Sequence, residues 1–524
     1  MKNNFVDILL VIFILTVSFI FTESIGIHNY GDSPSYRLMI KSLIYDKDLI
    51  LDKKDIQRCK KDKDRLNGTY VFIDKEGKIK YGKPLLYPLI ALPFFFIFKT
   101  FGLSLLNSLF LGGSIICGFC YLKKYFNRFY SLILNLLFFF CSYIPFYTGW
   151  MTPDEMIFFA CCLVMYLILS KNKPELAAFV IGAVTSAKVI FSLLLIPLFT
   201  VLIEEKAYRR LKNTLCLYLI GLLSMLILTF IFLGKVSPYV ETSGYIPAQT
   251  KPYSTEEDIK NSLIIVPSLF IGIYFTSWNL FFRNLLNFFI GRFTGVIWYA
   301  FPAFVCIIFY LLSVQKMRKK EKNIGISIIL AAFFLVLILV ILRPLNYFGG
   351  KDFIGNRYYF ILPAMLFLPL KKIHPYKLIL LFSLGFIVTF PILKTELLSK
   401  NRDFFYSPYI FKHSAYTCSF PLKYAPLEIS QIESFMVYKL KLSKNTFVYL
   451  PCGMKKRKKE EILITPNQEV VIVCQKKCGF LKLSSERQSI ILHPQIILRD
   501  RIHHQYKTFY YFKPNKQMWL KLFF

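Results

Sequence analysis

Ten apolar stretches of near-bilayer length run through the first three quarters of this chain, and no water-soluble fold has room to bury so many. They are Val6–Phe21, Leu103–Leu122, Leu132–Tyr147, Met156–Leu169, Leu176–Leu202, Leu215–Leu233, Gly295–Val314, Ile324–Leu342, Tyr358–Leu370 and Leu378–Leu393. A helix needs roughly 20 apolar residues to cross the hydrocarbon core, and several of these stretches fall short of that. Leu176–Leu202 is long and Lys188 interrupts it, so it reads as two short spans or one tilted one. Over 524 residues, 55% are hydrophobic and 18% aromatic, more apolar surface than a soluble chain of this size needs. The expected class is an all-α polytopic membrane protein. The first stretch follows a lysine, as a signal peptide would. Phe21-Thr22-Glu23 offers no small-x-small cleavage site, so an uncleaved first span is expected.

The formal net charge is +34. No zinc-finger, helix-turn-helix or RNA-binding signature accompanies it, which argues against a nucleic-acid partner. The basic residues cluster between the apolar stretches instead. Lys123, Lys124 and Arg128 form one cluster, and Lys171 and Lys173 a second. Arg209, Arg210 and Lys212 form a third, Lys316 to Lys322 a fourth, and Lys371, Lys372 and Lys377 a fifth. Short loops rich in Lys and Arg stay in the cytoplasm. Placing all of them there makes Leu176–Leu202 cross twice and makes Leu85–Phe98 dip into the outer leaflet without crossing. The expectation is about eleven transmembrane helices in the inner (plasma) membrane, with the N-terminus cytoplasmic and the C-terminus outside. The loops Glu23–Pro84, Thr148–Glu155, Gly234–Arg292 and Arg343–Arg357 then share the outer face.

Residues 1–393 form the expected transmembrane domain, with residues 23–84 as its first outer loop. After Leu393 the composition turns polar. Alternating pieces at Phe447–Leu450, Glu469–Cys474, Phe480–Leu483, Ser489–Leu492 and Thr508–Phe512 read as strands. Residues 394–524 are therefore expected to be a small, mostly β extracytoplasmic domain. Disulfides among Cys418, Cys452, Cys474 and Cys478 would be permitted there. The seven cysteines between Cys117 and Cys306 lie in apolar stretches and read as small hydrophobes. No internal repeat is visible, which gives an inverted-repeat transporter no support.

Four polar constellations interrupt this apolar background. Gly31-Asp32-Ser33-Pro34-Ser35-Tyr36 makes a tight turn just after the first span. Asp32 reads as a cap for the following helix or as a reactive carboxylate at the membrane face, and the two are compatible. Tyr81-Gly82-Lys83-Pro84-Leu85-Leu86-Tyr87-Pro88 closes the same loop. Lys83 reads as a point charge for a phosphate or as a snorkelling interfacial lysine. Thr152-Pro153-Asp154-Glu155 joins two spans. Its acids suit a helix start, an acceptor sugar or a cation. Gly349-Gly350-Lys351-Asp352-Phe353-Ile354-Gly355-Asn356-Arg357 ends at an arginine able to hold phosphate bidentately or to anchor a span. Arg292, Arg343 and the intramembrane Lys188 are weaker candidates of the same kind.

The first-loop pair, Gly-Asp-Ser-Pro-x-Tyr and then Gly-Lys-Pro-Leu-x-Tyr-Pro, resembles the GT-C class of membrane glycosyltransferases. In pattern it is nearest the protein O-mannosyltransferase and lipid A aminoarabinose transferase group. Phe289-Ile290-Gly291-Arg292-Phe293-Thr294-Gly295 and Gly355-Asn356-Arg357-Tyr358 look like motifs of bacterial members, and the likeness covers most of residues 6–393. The resemblance implies a polyprenyl-phosphate sugar donor and inversion at the anomeric carbon. It implies Asp32 as the catalytic acid-base residue and Lys83 as a contact to the lipid phosphate, a role extended here to Arg357. Asp154 and Glu155 stand as a candidate acceptor or cation site. Ser33 follows Asp32 where protein mannosyltransferases carry Asp-Glu. That departure points away from a protein acceptor and from a first-loop metal pair. No cofactor is expected, with a divalent cation left open. The expected partners are the lipid-linked donor, the bilayer, and a glycan, lipid or protein acceptor. The alternatives are a lipid or solute transporter, with Lys188 as its key residue, and a non-catalytic envelope-assembly scaffold.

Overall fold

The structure, a computed structural model, describes residues 2–26, 32–237, 243–246, 253, 255–265, 278–291, 295–342, 347, 355–370 and 373–389, together with nine strands between 437 and 523. Its first 389 residues are mostly helical. Four described helices, Phe5–Ile25, Thr100–Leu122, Tyr208–Leu233 and Lys319–Leu342, are long and apolar enough to cross a membrane. Their outward residues include Phe5, Ile8, Ile12, Leu219, Leu223, Ile227, Phe333 and Phe334, an apolar surface suited to lipid rather than water. Six shorter apolar helices accompany them. The chain is therefore a membrane protein built mainly of helices. Among the described residues, the four long helices and all six shorter ones together make ten, one fewer than the expected eleven spans.

Proline explains where the apolar runs stop being helices. The expected span Leu132–Tyr147 ends as a helix at Phe140 and resumes as a 3-10 turn, Ile144–Gly149. Pro145 lacks the N–H that would continue the helix and restricts the residue before it. Tyr358–Leu370 is not a spanning helix at all. It is a buried turn followed by the 3-10 segment Leu362–Phe367, opened by Pro363 and followed by Pro369. The long run around Lys188 is divided at that residue. Helix Pro174–Ala187 ends there, and the 3-10 segment Val189–Leu194 leads into helix Leu195–Glu204.

The first loop is a folded unit with its own apolar core rather than a simple connection. Leu38, Met39, Leu49, Leu51, Ile56, Val71, Phe72 and Ile79 pack together beneath helices Ser33–Tyr45 and Lys53–Asp62. Strands Tyr70–Ile73 and Ile79–Tyr81 pair antiparallel, with Val71 opposite Tyr81. The sheet then accepts two strands from a distant part of the chain. Ser243–Tyr245 pairs with Tyr70–Phe72, and Ile264–Ile265 pairs with Gly244 and Tyr245. None of these four strands was evident from the sequence. They join the first loop to the loop after Leu233, two segments expected on the same face from the series of basic loops.

Ion pairs fasten this unit. Lys41 pairs with Asp62 and Asp64, Arg37 with Asp64, and Arg58 with Asp46 and Asp55. Asp55 is only 2% exposed, and one of its carboxylate oxygens has no hydrogen-bond partner. Burial pushes its carboxyl up to about 7. Arg58 opposes that rise but is shared with Asp46, and the charges of Asp46 and Asp52 add to it. The folded state therefore keeps a proton that the unfolded chain releases near pH 4. Stability from this group is greatest in acid and declines as pH rises from about 4 to about 7. Replacing Asp55 with Asn should flatten that decline. The slope removed is about 1.4 kcal/mol per pH unit within the window, read from thermal unfolding in detergent at several pH values. An unchanged slope would assign the decline to other groups.

In the tail, Thr446–Leu450 lies between Glu460–Ile464 and Leu481–Ser485, and Gln488–Leu492 extends that sheet antiparallel. Val437–Lys441 pairs with Glu469–Val471 and Trp519–Phe523, and Ile497–Asp500 pairs with Lys507–Tyr510. Every strand read from the sequence coincides at least in part with one of these. Cys418, Cys452, Cys474 and Cys478 lie outside the described residues. The seven cysteines of the apolar stretches carry no disulfide, and most are buried.

Candidate active site

Asp32 starts helix Ser33–Tyr45 through its backbone, not its side chain. Its carbonyl accepts from the Ser35 and Tyr36 amides at 3.1 and 3.4 Å, while its carboxylate makes no capping bond. Pro34 in the first turn suits the helix start. Two flanking hydroxyls pin the turn to other parts of the chain. Ser33 Oγ accepts from the Met151 amide at 3.2 Å, and Ser35 Oγ accepts from the Tyr70 amide at 2.8 Å. The carboxylate is thereby turned away from its own helix.

It meets two cations. Lys83 Nζ donates to Asp32 Oδ1 at 2.7 Å, and Arg357 Nη1 donates to Oδ2 at 3.2 Å. Arg357 Nη1 also lies 3.6 Å from Asp154 Oδ2, which accepts from the Thr152 hydroxyl at 2.9 Å. The Tyr245 hydroxyl donates to Asp32 Oδ1 and accepts from Lys83 Nζ, both at 3.3 Å. Lys83 Nζ stands 4.7 Å from the Tyr70 ring centre and 5.2 Å from that of Tyr245, close enough for cation–π attraction. Burial by itself would raise the Asp32 carboxyl. Lys83 and Arg357 outweigh it and hold the group well below the usual carboxylate range.

Each cation is set by a local backbone device. Gly82 donates its amide to the Tyr70 carbonyl at 2.9 Å, and a Cβ there would fall 2.7 Å from the Tyr70 ring. Only glycine lets the strand that delivers Lys83 pass so close to that ring. Gly355 has φ +64°, and a Cβ would meet Tyr143 at 2.6 Å. Asn356 then locks the turn. Its carbonyl accepts from the Tyr143 hydroxyl at 2.8 Å, its Nδ2 donates to the Tyr347 carbonyl at 3.2 Å, and its Oδ1 accepts from the Tyr358 amide at 3.0 Å. Lys188, at the break between two short helices, donates to the Arg357 carbonyl at 3.3 Å and lies over the Tyr358 and Phe360 rings. The loop bearing Asp154 is fastened by Asn107, whose Nδ2 donates to the Thr148 and Trp150 carbonyls.

Four of the five residues singled out in the sequence thus converge in one largely buried cluster. Asp154 both opens its helix and turns its carboxylate to Arg357. Glu155 does not join them. It is fully buried, and neither carboxylate oxygen bonds to any described atom. Arg292, Arg343, Lys351 and Asp352 lie outside the described residues. Sequence reading missed Tyr245, Tyr70 and Thr152 as members. Tyr245 carries no local signal, since only strand pairing brings it to Lys83. Among the described residues, no group of three or more His, Cys, Asp or Glu side chains is placed to hold a metal.

The fold and the cluster define a membrane protein whose loops enclose a carboxylate clamped between two cations. No protein-family model matches the sequence, and no curated protein does either. Among solved structures, the chain is similar to the crystal structure of ArnT from Cupriavidus metallidurans bound to undecaprenyl phosphate. The two are 11% identical with a TM-score of 0.45, covering 76% of this chain and 67% of that one.

Proposed function

We propose that this chain is a GT-C-type glycosyltransferase, moving a sugar from a polyprenyl-phosphate donor to an envelope acceptor at the outer face of the membrane. One observation carries the reading. Asp32, Lys83 and Arg357, separated by 51 and 325 residues in sequence, meet at ion-pair distance. Together they supply a base and two cations for a leaving phosphate, groups that a sugar transfer from a phosphate can use. Asp32 takes the proton of the acceptor hydroxyl as general base. The hydroxyl oxygen forms a bond to the anomeric carbon as the bond from that carbon to the phosphate oxygen breaks, with inversion. The leaving phosphate takes the electron pair and is stabilised by Lys83 and Arg357.

Asp154 approaches the same Arg357 nitrogen that meets Asp32, and its carboxylate marks the side of the site assigned to the acceptor. Glu155, buried with neither oxygen bonded to a described atom, stands apart from it. The outer-face assignment rests on the series of basic loops. Lys188 sits against Arg357 rather than along a separate polar route, which favours one shared site over a transport path.

Mass spectrometry of envelope glycans and glycolipids, from a strain lacking the protein, tests the reading. One sugar modification should disappear, return with the wild-type chain, and fail to return with Asp32→Asn. An unchanged envelope profile would remove the transferase assignment.

A further inference from the structure

The carboxylate assigned as base is engaged on both of its oxygens. Lys83 holds one at 2.7 Å and Arg357 the other at 3.2 Å, the same two cations assigned to the donor phosphate. Their formal charges, with those of Asp32 and Asp154, cancel in the structure as it stands. An arriving phosphate anion therefore finds no surplus positive charge in this quartet unless one carboxylate gives way. Asp154 is the harder to displace, because its side chain is 6% exposed and Thr152 holds it as well. Asp32 is more open, at 16%. A carboxylate gripped by two cations is also a poor base, since a general base works best with its pKa near the operating pH.

We propose that Asp32 occupies the anion position of the phosphate site until the donor arrives, and that the donor's phosphate displaces it from Lys83 and Arg357. The exchange frees the carboxylate to accept the acceptor's proton, so donor binding must precede acceptor activation. Tyr245, whose hydroxyl bridges Asp32 and Lys83, is placed to keep a hydrogen bond with either partner after they part. Lys188 adds a further cation beside the Arg357 backbone, on the side of the Tyr358 ring. The inference rests on the transferase reading and adds to it an order of binding and a second role for Asp32 as the phosphate's competitor.

The consequence is counterintuitive, because removing the catalytic charge should tighten donor binding. The test uses the purified full-length chain in detergent micelles, with farnesyl monophosphate as the lipid probe, inorganic phosphate as the free anion and farnesol as the uncharged control. Asp32→Asn should bind farnesyl monophosphate about tenfold more tightly than wild type, a modest coupling for close charged groups. Inorganic phosphate should gain by a similar factor at lower affinity, and farnesol should not change. Equal or weaker phosphate binding by the variant overturns the exchange, as does a gain shared by farnesol. Asp32→Ser removes the same charge and serves if the amide variant does not fold. The readouts separate the two readings. Lost transfer without tighter phosphate binding keeps the base and ends the exchange. Tighter binding with intact transfer keeps the exchange and ends the base.

Discussion

Asp32→Asn is expected to lose transfer by about 10²–10⁴-fold, the usual contribution of a general base, while the protein still inserts and folds. Asparagine has nearly the same shape as aspartate but cannot take a proton from a hydroxyl. The helix start should survive the change, because the Asp32 side chain caps nothing and the helix is begun by backbone bonds, Pro34 and the flanking serines. Lys83 keeps Tyr245 and the Tyr70 ring as neighbours, and Arg357 keeps Asp154. The measurement is polyprenyl phosphate released from a lipid-linked sugar donor in membranes carrying equal amounts of each protein, with thermal unfolding as the control for folding. Near-full release by the variant would rule out Asp32 as the base and leave Asp154 and Glu155 as the remaining acids.

The two halves of this site were unequally legible in the sequence. Asp32, Lys83 and Arg357 each stood in a segment rich in Gly and Pro at the end of an apolar run, where a charged residue is costly without a purpose. What no single segment could display was their meeting. That depends on Gly82 letting one strand pass the Tyr70 ring, on the left-handed turn at Gly355, and on strand Ser243–Tyr245 crossing from another loop. Those are pairings between residues far apart in the chain, and periodicity reports only on neighbours. The same limit explains Tyr358–Leu370. An apolar run of that length looks alike whether it spans a membrane or lies buried as an irregular turn, and the two prolines decide it. The cap reading of Asp32 failed for a related reason. The residue type favours capping, but two largely buried cations offer the carboxylate a stronger partner than its own helix.

Arg357 tests how far the cluster is a working unit, because it meets both the Asp32 and the Asp154 carboxylates. Arg357→Met should abolish transfer and also destabilise the fold, by about 3–5 kcal/mol, the usual cost of removing one partner from a buried ion pair. Asp32 would still have Lys83. Asp154, almost fully buried, would be left with the Thr152 hydroxyl and would lose the one cation that an ion pair among the described residues gives it. The destabilisation should therefore be partly relieved by adding Asp154→Asn, which removes that stranded charge. Transfer should not return, because the leaving phosphate still lacks its guanidinium. Thermal unfolding and polyprenyl-phosphate release, measured on the two single variants and the double, separate these effects. A double variant no more stable than Arg357→Met would show that the 3.6 Å approach of Arg357 to Asp154 contributes nothing to the fold. Transfer restored in the double would show that Arg357 acts only by neutralising Asp154, and would leave Lys83 alone at the phosphate.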